Sequence, residues 1–315
     1  MRSPRTLSLL AAAVFAAFAG SALAAGEGAR PLAQPNGLFF GAYDPHGDFG
    51  NDSLSTIEHL FLPWEDVDLT SLAAADSYAA ERGRTLLVTI EPWTWSQSKH
   101  IAPEDLRAGI MSGQYDGNIS AICSVLASFK SPTTIRWAQE MEDTTGRFIW
   151  ADWDPADYIA AYRRVVETCR AIAPNVAFMW SPKGNDNLGD YYPGDDVVDV
   201  VGLSVFGLQA NDHFEAGRDR AFSELVRAGY LEAAKFGKPV YVAEVGYSGD
   251  AAYVESWASE LLSALPQFPL LQGVVYFNDR DVVSWPHDLG IPNWQVTSNI
   301  APDVTSVAQV ADKSR

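Results

Sequence analysis

Two glutamates, Glu140 and Glu244, stand where short apolar segments of the sequence end, at residues 133–140 and 238–244. In barrels of parallel strands and outer helices, carboxylates at the C-terminal strand ends point into the active site. A retaining glycosidase needs two such groups, because one carboxylic acid protonates the leaving oxygen and one carboxylate attacks the anomeric carbon. The pattern therefore predicts chemistry at the anomeric carbon of a sugar.

Arg136 is a charged residue inside the segment that ends at Glu140. Alternation along a strand places both side chains on the same side, although residues at the strand end can turn toward the barrel mouth. A charged side chain within a strand needs a partner. It can form a structural ion pair at the barrel rim, or it can position a catalytic carboxylate and lower the pKa of that carboxylate. We predict the second role.

Aromatic residues are plentiful, with ten tryptophans and twelve tyrosines, and several fall at predicted strand ends. Apolar sugar faces stack on such rings, whereas the alternative for each ring is to fill the core. Trp93 and Trp95 are the stronger candidates because they follow a strand that ends at Glu91. The predicted substrate contacts at strand ends are Trp93, Trp95, Trp150, Trp180, Tyr276 and Asn278.

Other kinds of catalytic site fit the sequence less well. Residues 202–207 contain Ser204 but miss the Gly-x-Ser-x-Gly spacing of a nucleophile elbow. Asp44, His46 and Asp48 are the only local candidates for a metal site, and turn formation or sugar contact explains their glycine-flanked loop better. No glycine-rich phosphate loop precedes a helical pattern. We therefore expect neither a metal nor a cofactor.

Eight short apolar, β-branched or aromatic segments alternate with helical patterns along the chain, as in βαβ units. The predicted strands are residues 37–42, 57–62, 85–91, 133–140, 176–181, 197–205, 239–244 and 273–278. The helical patterns include residues 69–82, 117–129, 154–172, 218–236 and 251–265. We predict an α/β fold, a (β/α)8 TIM barrel in a single domain, with no clean helix between the first two strands.

The N-terminus has the features of a secretory signal, since Arg2 and Arg5 precede an apolar stretch that ends in Ala-Leu-Ala at residues 22–24. We predict that residues 1–24 are a cleaved signal peptide, that residues 25–315 form the catalytic barrel, and that the protein is secreted or periplasmic. A membrane anchor is the alternative, but the stretch is shorter than the roughly 20 residues of a spanning helix. Cys123 and Cys169 either form a disulfide, which an oxidising compartment permits, or are buried as small hydrophobic residues.

The chain is strongly acidic, with 22 basic and 40 acidic residues and a net charge of -18. This charge argues against a nucleic-acid or anionic-lipid partner, because phosphate binding needs a concentrated positive field. A neutral substrate is the easiest to reconcile with it. We expect a monomer that does not bind membranes once the signal peptide is removed.

Residues 136–140, Arg-Trp-Ala-Gln-Glu, resemble the Arg-x-x-His-Glu acid/base segment of glycoside hydrolase family 26. An aromatic-rich loop follows at residues 148–153, and residues 178–182, 198–203 and 242–246 resemble the fifth, sixth and nucleophile strands of that family. The resemblance implies a (β/α)8 enzyme that cleaves a β-linked polysaccharide, such as a β-mannan, with retention of configuration. It also implies that Glu140 is the general acid/base and that Glu244 is the nucleophile.

Three positions of the expected substrate site depart from the family pattern. Gln139 stands where the family has histidine, and Ser204 and Phe206 stand where it commonly has an acidic residue and a tyrosine. Gln139 can still donate a hydrogen bond to a sugar hydroxyl, but it cannot carry charge. Phe206 lacks the hydroxyl that usually steadies the nucleophile, so that hydrogen bond must come from elsewhere. These changes leave open a different β-glycan, an unusual exopolysaccharide, or a carbohydrate-binding protein with weakened catalysis. A transglycosylase that uses the same intermediate is a further alternative.

Overall fold

The computed structural model describes residues 38–65, 67–93, 101–263 and 265–300. Eight parallel strands pair in chain order and close into a barrel, because β1 (Phe39–Tyr43) pairs with both β2 (Ile57–Pro63) and β8 (Leu271–Phe277). The other strands are β3 (Thr85–Glu91), β4 (Thr133–Trp137), β5 (Ala177–Trp180), β6 (Val200–Leu208) and β7 (Val240–Ser248). The predicted (β/α)8 barrel is confirmed. The predicted signal peptide and Trp95 lie outside the described residues.

Helices cover the outside of the barrel. They are α1 (Leu69–Glu81), α2 (Pro103–Ser112), α3 (Asp116–Leu126), α4 (Pro155–Arg170), α5 (Gln209–Ala216), α6 (Phe222–Ala233) and α7 (Ala251–Ser263). Short 3₁₀ segments are Leu188–Tyr191, Ala234–Phe236 and Leu265–Gln267. Within the described part of the chain, none of these helices is both long and apolar enough to cross a membrane.

The predicted helix boundaries have the expected local chemistry. The carboxylate of Asp154 accepts a hydrogen bond from the backbone N–H of Ala156, and Pro155 opens α4. Gly237 ends the helical segment before β7 with φ 64°, a conformation that glycine adopts without steric cost. Residues 44–56 between β1 and β2 form turns rather than a helix. The predicted irregular first unit is therefore confirmed.

The barrel interior changes from apolar to polar along the strands. The layer nearer the N-terminal ends of the strands is an apolar cluster of Ile57, Leu87, Met179, Ala243 and Val275. Because side chains alternate along a strand, the next inward positions on β2 and β3 and after β5 lie nearer the C-terminal ends. Those positions hold the buried polar residues His59, Thr89 and Ser181. The fold thus supports a polar floor beneath the barrel mouth.

A disulfide ties two helices together behind β4. Cys123 in α3 and Cys169 in α4 are bonded, with their Cα atoms 5.5 Å apart. Both side chains are fully buried. This settles the two possibilities that the sequence left open in favour of the disulfide.

The two strands that carry the glutamates end at other residues than predicted. β4 ends at Trp137, and the chain beyond it turns through left-handed residues at Ala138 (φ 48°) and Glu140 (φ 55°). β7 instead continues past Glu244 to Ser248, with register shifts against β6 and β8. Glu140 therefore lies in a loop and Glu244 inside a strand, whereas the sequence pattern predicted two strand ends.

Candidate active site

Arg136 and Glu244 form an ion pair inside the barrel mouth. The guanidinium is fully buried, and its Nη1 atom lies 2.5 Å from Oε1 of Glu244. The Nε atom donates a hydrogen bond to Ser181 Oγ at 2.8 Å, and Nη1 lies 3.5 Å from Thr89 Oγ1. Arg136 therefore has the partner that a charged strand residue needs, and that partner is one of the two predicted catalytic glutamates.

The floor beneath this ion pair holds a neutral histidine. His59 Nε2 lies 2.7 Å from Thr89 Oγ1. Complete burial, and then the charge of Arg136, lower the pKa of His59 well below its usual value. An uncharged ring at this position leaves Arg136 as the positive charge closest to Glu244. The sequence analysis missed His59, Thr89 and Ser181, although Thr89 is the direct neighbour of Arg136 in the register of β3 and β4.

Glu140 and Glu244 lie close enough for the charge of Glu140 to act on Glu244, and we call their surroundings the pocket. They are 6% and 8% exposed, so water reaches both carboxyl groups but does not surround them. The pKa of Glu244 is raised to about 7, because burial and the charge of Glu140, which raise it, outweigh Arg136 and Arg147, which lower it. The two carboxyl groups therefore affect each other's protonation. The contact with Arg136 favours the negative charge on Glu244.

The peptide that carries Glu140 is held from three sides. Its backbone N–H donates to the carbonyl of Ser181 at 2.8 Å. Trp150 Nε1 donates to the carbonyl of Gln139 at 2.7 Å, and Tyr158 Oη donates to that of Ala138 at 3.3 Å. Left-handed backbone at a non-glycine residue costs roughly 1 kcal/mol or more, so these hydrogen bonds offset a real strain. They fix the Glu140 side chain at the mouth.

Gln139 connects this peptide to a third carboxyl group. Its Nε2 atom donates to Glu91 Oε1 at 2.6 Å, and Trp93 Nε1 donates to the other oxygen of Glu91 at 3.1 Å. Burial raises the pKa of Glu91, while the hydrogen bonds from Gln139 and Trp93 lower it. Among the described residues, nothing in the protein bonds the buried Oε1 atom of Gln139. Glu91 was not predicted as a site residue, although it too ends a strand.

Two cations lie close to Glu140. Burial lowers the pKa of Arg147 and of Lys183, but the charge of Glu140 and those of neighbouring carboxylates outweigh burial and raise both. Arg147 Nη2 is 3.0 Å from Asp281 Oδ1, and Lys183 Nζ is 2.7 Å from Asp143 Oδ1. The sequence pattern gave no signal for either cation, because both belong to loops.

Glu142 fixes the loop that follows β5. Its buried side chain accepts hydrogen bonds from the backbone N–H groups of Gly184 at 2.8 Å and Asn185 at 3.2 Å. These bonds join the loop after β4 to the loop that carries Lys183. Glu142 and Asp143 thus form a polar shell beside Glu140.

A phenol at the end of β1 faces the pocket. Burial raises the pKa of Tyr43, and the charges of Asp279, Glu91 and Glu244 raise it further, so the hydroxyl lies near these carboxylates. The ring packs against Phe61 and Phe277 with centroids 4.9 and 5.1 Å apart. Tyr43 is a further residue that the sequence analysis missed.

The two departures on β6, Ser204 and Phe206, are two positions apart and so lie on the same face of the strand. Ser204 is the register neighbour of Glu244 across a bulge, and its buried Oγ atom has no hydrogen-bond partner within the described part of the protein. The ring of Phe206 is partly exposed and lies 5.0 Å from that of Trp294. Phe206 thus presents a hydrophobic edge where the family has a hydroxyl.

Three of the aromatic residues predicted to contact substrate are fully buried. Trp180 packs behind β5 against Tyr192 and Phe236, with centroids 5.2 and 5.5 Å away, so its ring offers no face to a sugar. Trp150 and Tyr276 are also fully buried, and Tyr276 Oη donates to the carbonyl of Trp294 at 2.6 Å. These rings fill the core, which contradicts the stacking predicted for them. For Trp180 and Tyr276 the burial follows from alternation, because every second strand residue faces the helices.

The remaining predicted contacts have different surroundings. Trp93 is partly exposed, with its ring centroid 4.7 Å from that of Trp150, and stays a candidate for sugar stacking. Asn278 is buried, and its Nδ2 atom donates to Asp44 at 2.7 Å and Asp48 at 2.9 Å. It therefore braces the loop after β1 rather than facing the pocket. Trp95 lies outside the described residues.

The acidic loop after β1 has structural partners. His46 Nε2 lies 3.0 Å from Asp279 Oδ1, and Asp44 accepts the backbone N–H groups of Asp48 and Phe49. Within residues 38–65, 67–93, 101–263 and 265–300, no group of three or more His, Cys, Asp or Glu side chains could hold a metal ion. The geometry of this loop is that of turn formation.

Residues 92–259, more than half of the chain, match the model of glycosyl hydrolase family 26. The chain belongs to glycosyl hydrolase family 26. The part that matches family 26 contains Arg136, Glu140 and Glu244, and so includes the ion pair and both acids of the pocket.

The chain is also similar to curated proteins and, in its fold, to solved structures. A β-1,3-xylanase from a Vibrio species is 34% identical and one from an Alcaligenes species 31% identical, each over 107 residues that cover 32% of this chain. The match spans 22% of the length of each of these relatives. A family 26 β-mannanase from Bacteroides ovatus has the same fold, with a TM-score of 0.59 and 18% identity over 89% of both chains.

Proposed function

We propose that this family 26 protein is a glycoside hydrolase that cleaves a β-linked polysaccharide with retention of configuration. The observation that carries the proposal is the pair of buried glutamates in one pocket, one of them held by Arg136 at 2.5 Å. Retaining enzymes need two carboxyl groups with different roles. Direct contact with the guanidinium of Arg136 distinguishes Glu244 from Glu140. Membership of family 26 supports the same activity.

The reaction follows from the two positions. Glu244 attacks the anomeric carbon and forms a glycosyl ester, while the bond to the leaving oxygen breaks and Glu140 gives that oxygen its proton. Water then attacks the same carbon and releases the sugar. Glu140 takes a proton from the water, and Glu244 leaves as a carboxylate. Two inversions give net retention, and both acids return to their initial states.

In this scheme Arg136 favours the ionised form of Glu244 and fixes its orientation. A buried carboxylate loses solvation, which favours the protonated and unreactive form. The guanidinium contact opposes that loss and, together with the hydrogen bond to Ser181, fixes the direction in which Glu244 points. Arg136 is therefore a positioning residue rather than a group that reacts.

The substrate in this proposal is a neutral β-glycan. The curated relatives are β-1,3-xylanases and the structural relative is a β-mannanase, so xylan and mannan are the first polymers to test. Gln139 Oε1 and Ser204 Oγ are buried atoms without a protein hydrogen bond from the described residues, and each can bond a sugar hydroxyl. The composition of residues 1–24 supports export, so we propose that the protein acts outside the cytoplasm.

The test is release of reducing ends from β-1,3-xylan, β-mannan and mixed-linkage β-glucan by the wild type and three variants. Glu140→Gln and Glu244→Gln each remove one acid with little change of shape, and we expect each to lower kcat by about a thousandfold or more. Glu224→Gln, in an exposed ion pair with Arg218, is the control that keeps full activity. The proton NMR spectrum of the first product distinguishes retention from inversion, and inversion would contradict the role given to Glu244.

A second candidate function is carbohydrate binding without turnover. Phe206 favours it, because the hydroxyl that steadies the nucleophile in family 26 is missing there. The same panel decides between the two candidates. Binding of a glycan by the unmutated protein, with no reducing ends released from any polymer, would establish binding in place of hydrolysis.

A further inference from the structure

An ion pair spans the barrel mouth from one side to the other. Arg147 lies in the loop after β4 and Asp281 in the segment after β8, and Nη2 of the first is 3.0 Å from Oδ1 of the second. In a closed barrel of eight strands in chain order, β4 and β8 are diametrically opposed. We call this contact the Arg147–Asp281 bridge.

The guanidinium of the bridge lies beside the reactive pocket. Carboxylates of three different strands or strand ends act on the charge of Arg147, namely Glu91 on β3, Glu140 after β4 and Glu244 on β7. The contact joins segments that follow opposite strands of the barrel, so it crosses the mouth rather than following its rim. The bridge therefore lies next to the two glutamates, on one side of them.

Each end of the bridge is held by aromatic side chains. The guanidinium of Arg147 lies 5.1 Å from the ring centroid of Phe148, which stacks on Trp150 at 4.6 Å. At the other end, Trp285 Nε1 donates to Asp281 Oδ2 at 3.0 Å, and the Asp281 side chain is only 6% exposed. The side chains of an exposed surface ion pair move freely, whereas both side chains of this bridge are fixed by their neighbours.

We infer that the Arg147–Asp281 bridge determines product length, because it blocks the groove on one side of the cleaved bond. A glycan that lies across Glu140 and Glu244 can extend freely in one direction only, so the protein removes short products of uniform length from a chain end. This inference rests on the proposed function, since it concerns the same pocket. It gives Arg147 and Asp281 a part in specificity that is read from product length and not from rate, because Arg147 also lowers the pKa of Glu244.

The test compares wild type with Arg147→Gln and Asp281→Asn on whichever polymer of the panel is cleaved. Wild type should release short products of one length, with little loss of viscosity per reducing end. Either variant should release products of mixed length, and the viscosity lost per reducing end should rise about fivefold or more. Arg163→Gln is the matched control. The Arg163 side chain is 34% exposed, against 30% for Arg147, and it also pairs with an aspartate, Asp196. Asp196 precedes β6 and so lies at the opposite end of the barrel.

A binding series tests the bridge without requiring turnover. In the Glu140→Gln background, Arg147→Gln should bind a hexasaccharide of the same sugar about fivefold tighter and leave the affinity for the disaccharide unchanged. Identical product lengths and identical hexasaccharide affinities with and without Arg147 would overturn the inference. If the wild type hydrolyses none of the polymers, the proposed function is contradicted but the inference about the bridge is not. The binding series then still decides whether the bridge blocks the groove.

Discussion

At the scale of single residues, burial and a neighbouring charge have opposite effects on the ionisation of Glu244. Glu244 is removed from water, which disfavours its ionised form. The fully buried cation Arg136 favours that ionised form. Neither effect is visible from one residue alone. The protonation of Glu244, and hence the pH dependence of the reaction, is a property of the pair.

Replacing Arg136 by glutamine should move the acidic limb of the pH profile. The pKa of Glu244 is about 7 because burial raises it more than Arg136 lowers it. Without the guanidinium the pKa of Glu244 rises, so the ionised nucleophile forms only at higher pH. We expect kcat/KM of the wild type to fall as the pH drops through about 7, and that limb to lie at least about one pH unit higher in Arg136→Gln.

Two further variants make that measurement specific. Arg136→Lys keeps a positive charge and should leave the limb closer to that of the wild type, and Arg163→Gln should leave it unchanged. An acidic limb at the same pH in Arg136→Gln and wild type would show that Arg136 does not govern the protonation of Glu244.

Tyr43 offers the hydroxyl that Phe206 lacks. The phenol lies close enough to Glu244 for the carboxylate charge to raise the pKa of Tyr43. We expect Tyr43→Phe to lower kcat about tenfold to a hundredfold with little change in KM, because a hydroxyl close to Glu244 acts on the nucleophile rather than on the resting substrate. Tyr241→Phe, at the N-terminal end of β7, carries the same change away from the pocket and should retain full kcat. Equal kcat values for the two variants would remove Tyr43 from the mechanism.

At the scale of elements, the sequence predicted the order and type of the strands and helices well. Apolar segments of the right length predicted all eight strands, mostly within three residues of their ends, because alternation and capping are local properties. The conformation after β4 was not predictable in this way. Ala138 and Glu140 adopt left-handed backbone that only contacts with Ser181, Trp150 and Tyr158 make favourable.

Partners from distant segments also escaped the sequence analysis. Glu91, Tyr43 and Arg147 approach Glu244 because the barrel closes, which brings β1, β3 and the loop after β4 to one pocket. Trp180 was misassigned for the related reason that a ring at a strand end can face either the pocket or the helices. Element types are local, whereas the direction of a side chain at the mouth depends on the whole barrel.

The disulfide between α3 and α4 should stabilise the barrel where the Glu140 peptide is attached. It closes a loop of 46 residues, for which chain entropy predicts about 4 kcal/mol of stabilisation. We expect the double variant Cys123→Ala, Cys169→Ala to lose free energy of unfolding of that order in urea titrations, while its kcat at low temperature stays near that of the wild type. The single variant Cys123→Ala, which leaves a free thiol, separates loop closure from packing. A loss below about 1 kcal/mol in the double variant would contradict the expectation.

At the scale of the whole molecule, charge selects the class of polymer. The net charge of -18 gives the protein a negative field, and Glu91, Glu140, Glu244 and Asp279 add carboxyl groups around the mouth itself. A neutral glycan is indifferent to this field, whereas a polyanionic glycan is repelled as it approaches. The cations near Glu140 do not reverse the sign, because Arg147 and Lys183 are each paired with an aspartate.

Salt should therefore affect hydrolysis only when the polymer is charged. The Debye length falls from about 10 Å at about 0.1 M salt to about 3 Å at about 1 M, so added salt screens the repulsion of a polyanion. We expect kcat/KM for a lightly carboxymethylated derivative of the cleaved polymer to rise about threefold or more from about 0.05 M to about 0.5 M sodium chloride, mostly through KM. The unmodified polymer is the matched control, and its kcat/KM should stay constant over the same range. Equal salt dependence for both polymers would mean that salt acts on the protein rather than on the approach of the substrate, and that the acidic surface has no part in selecting it.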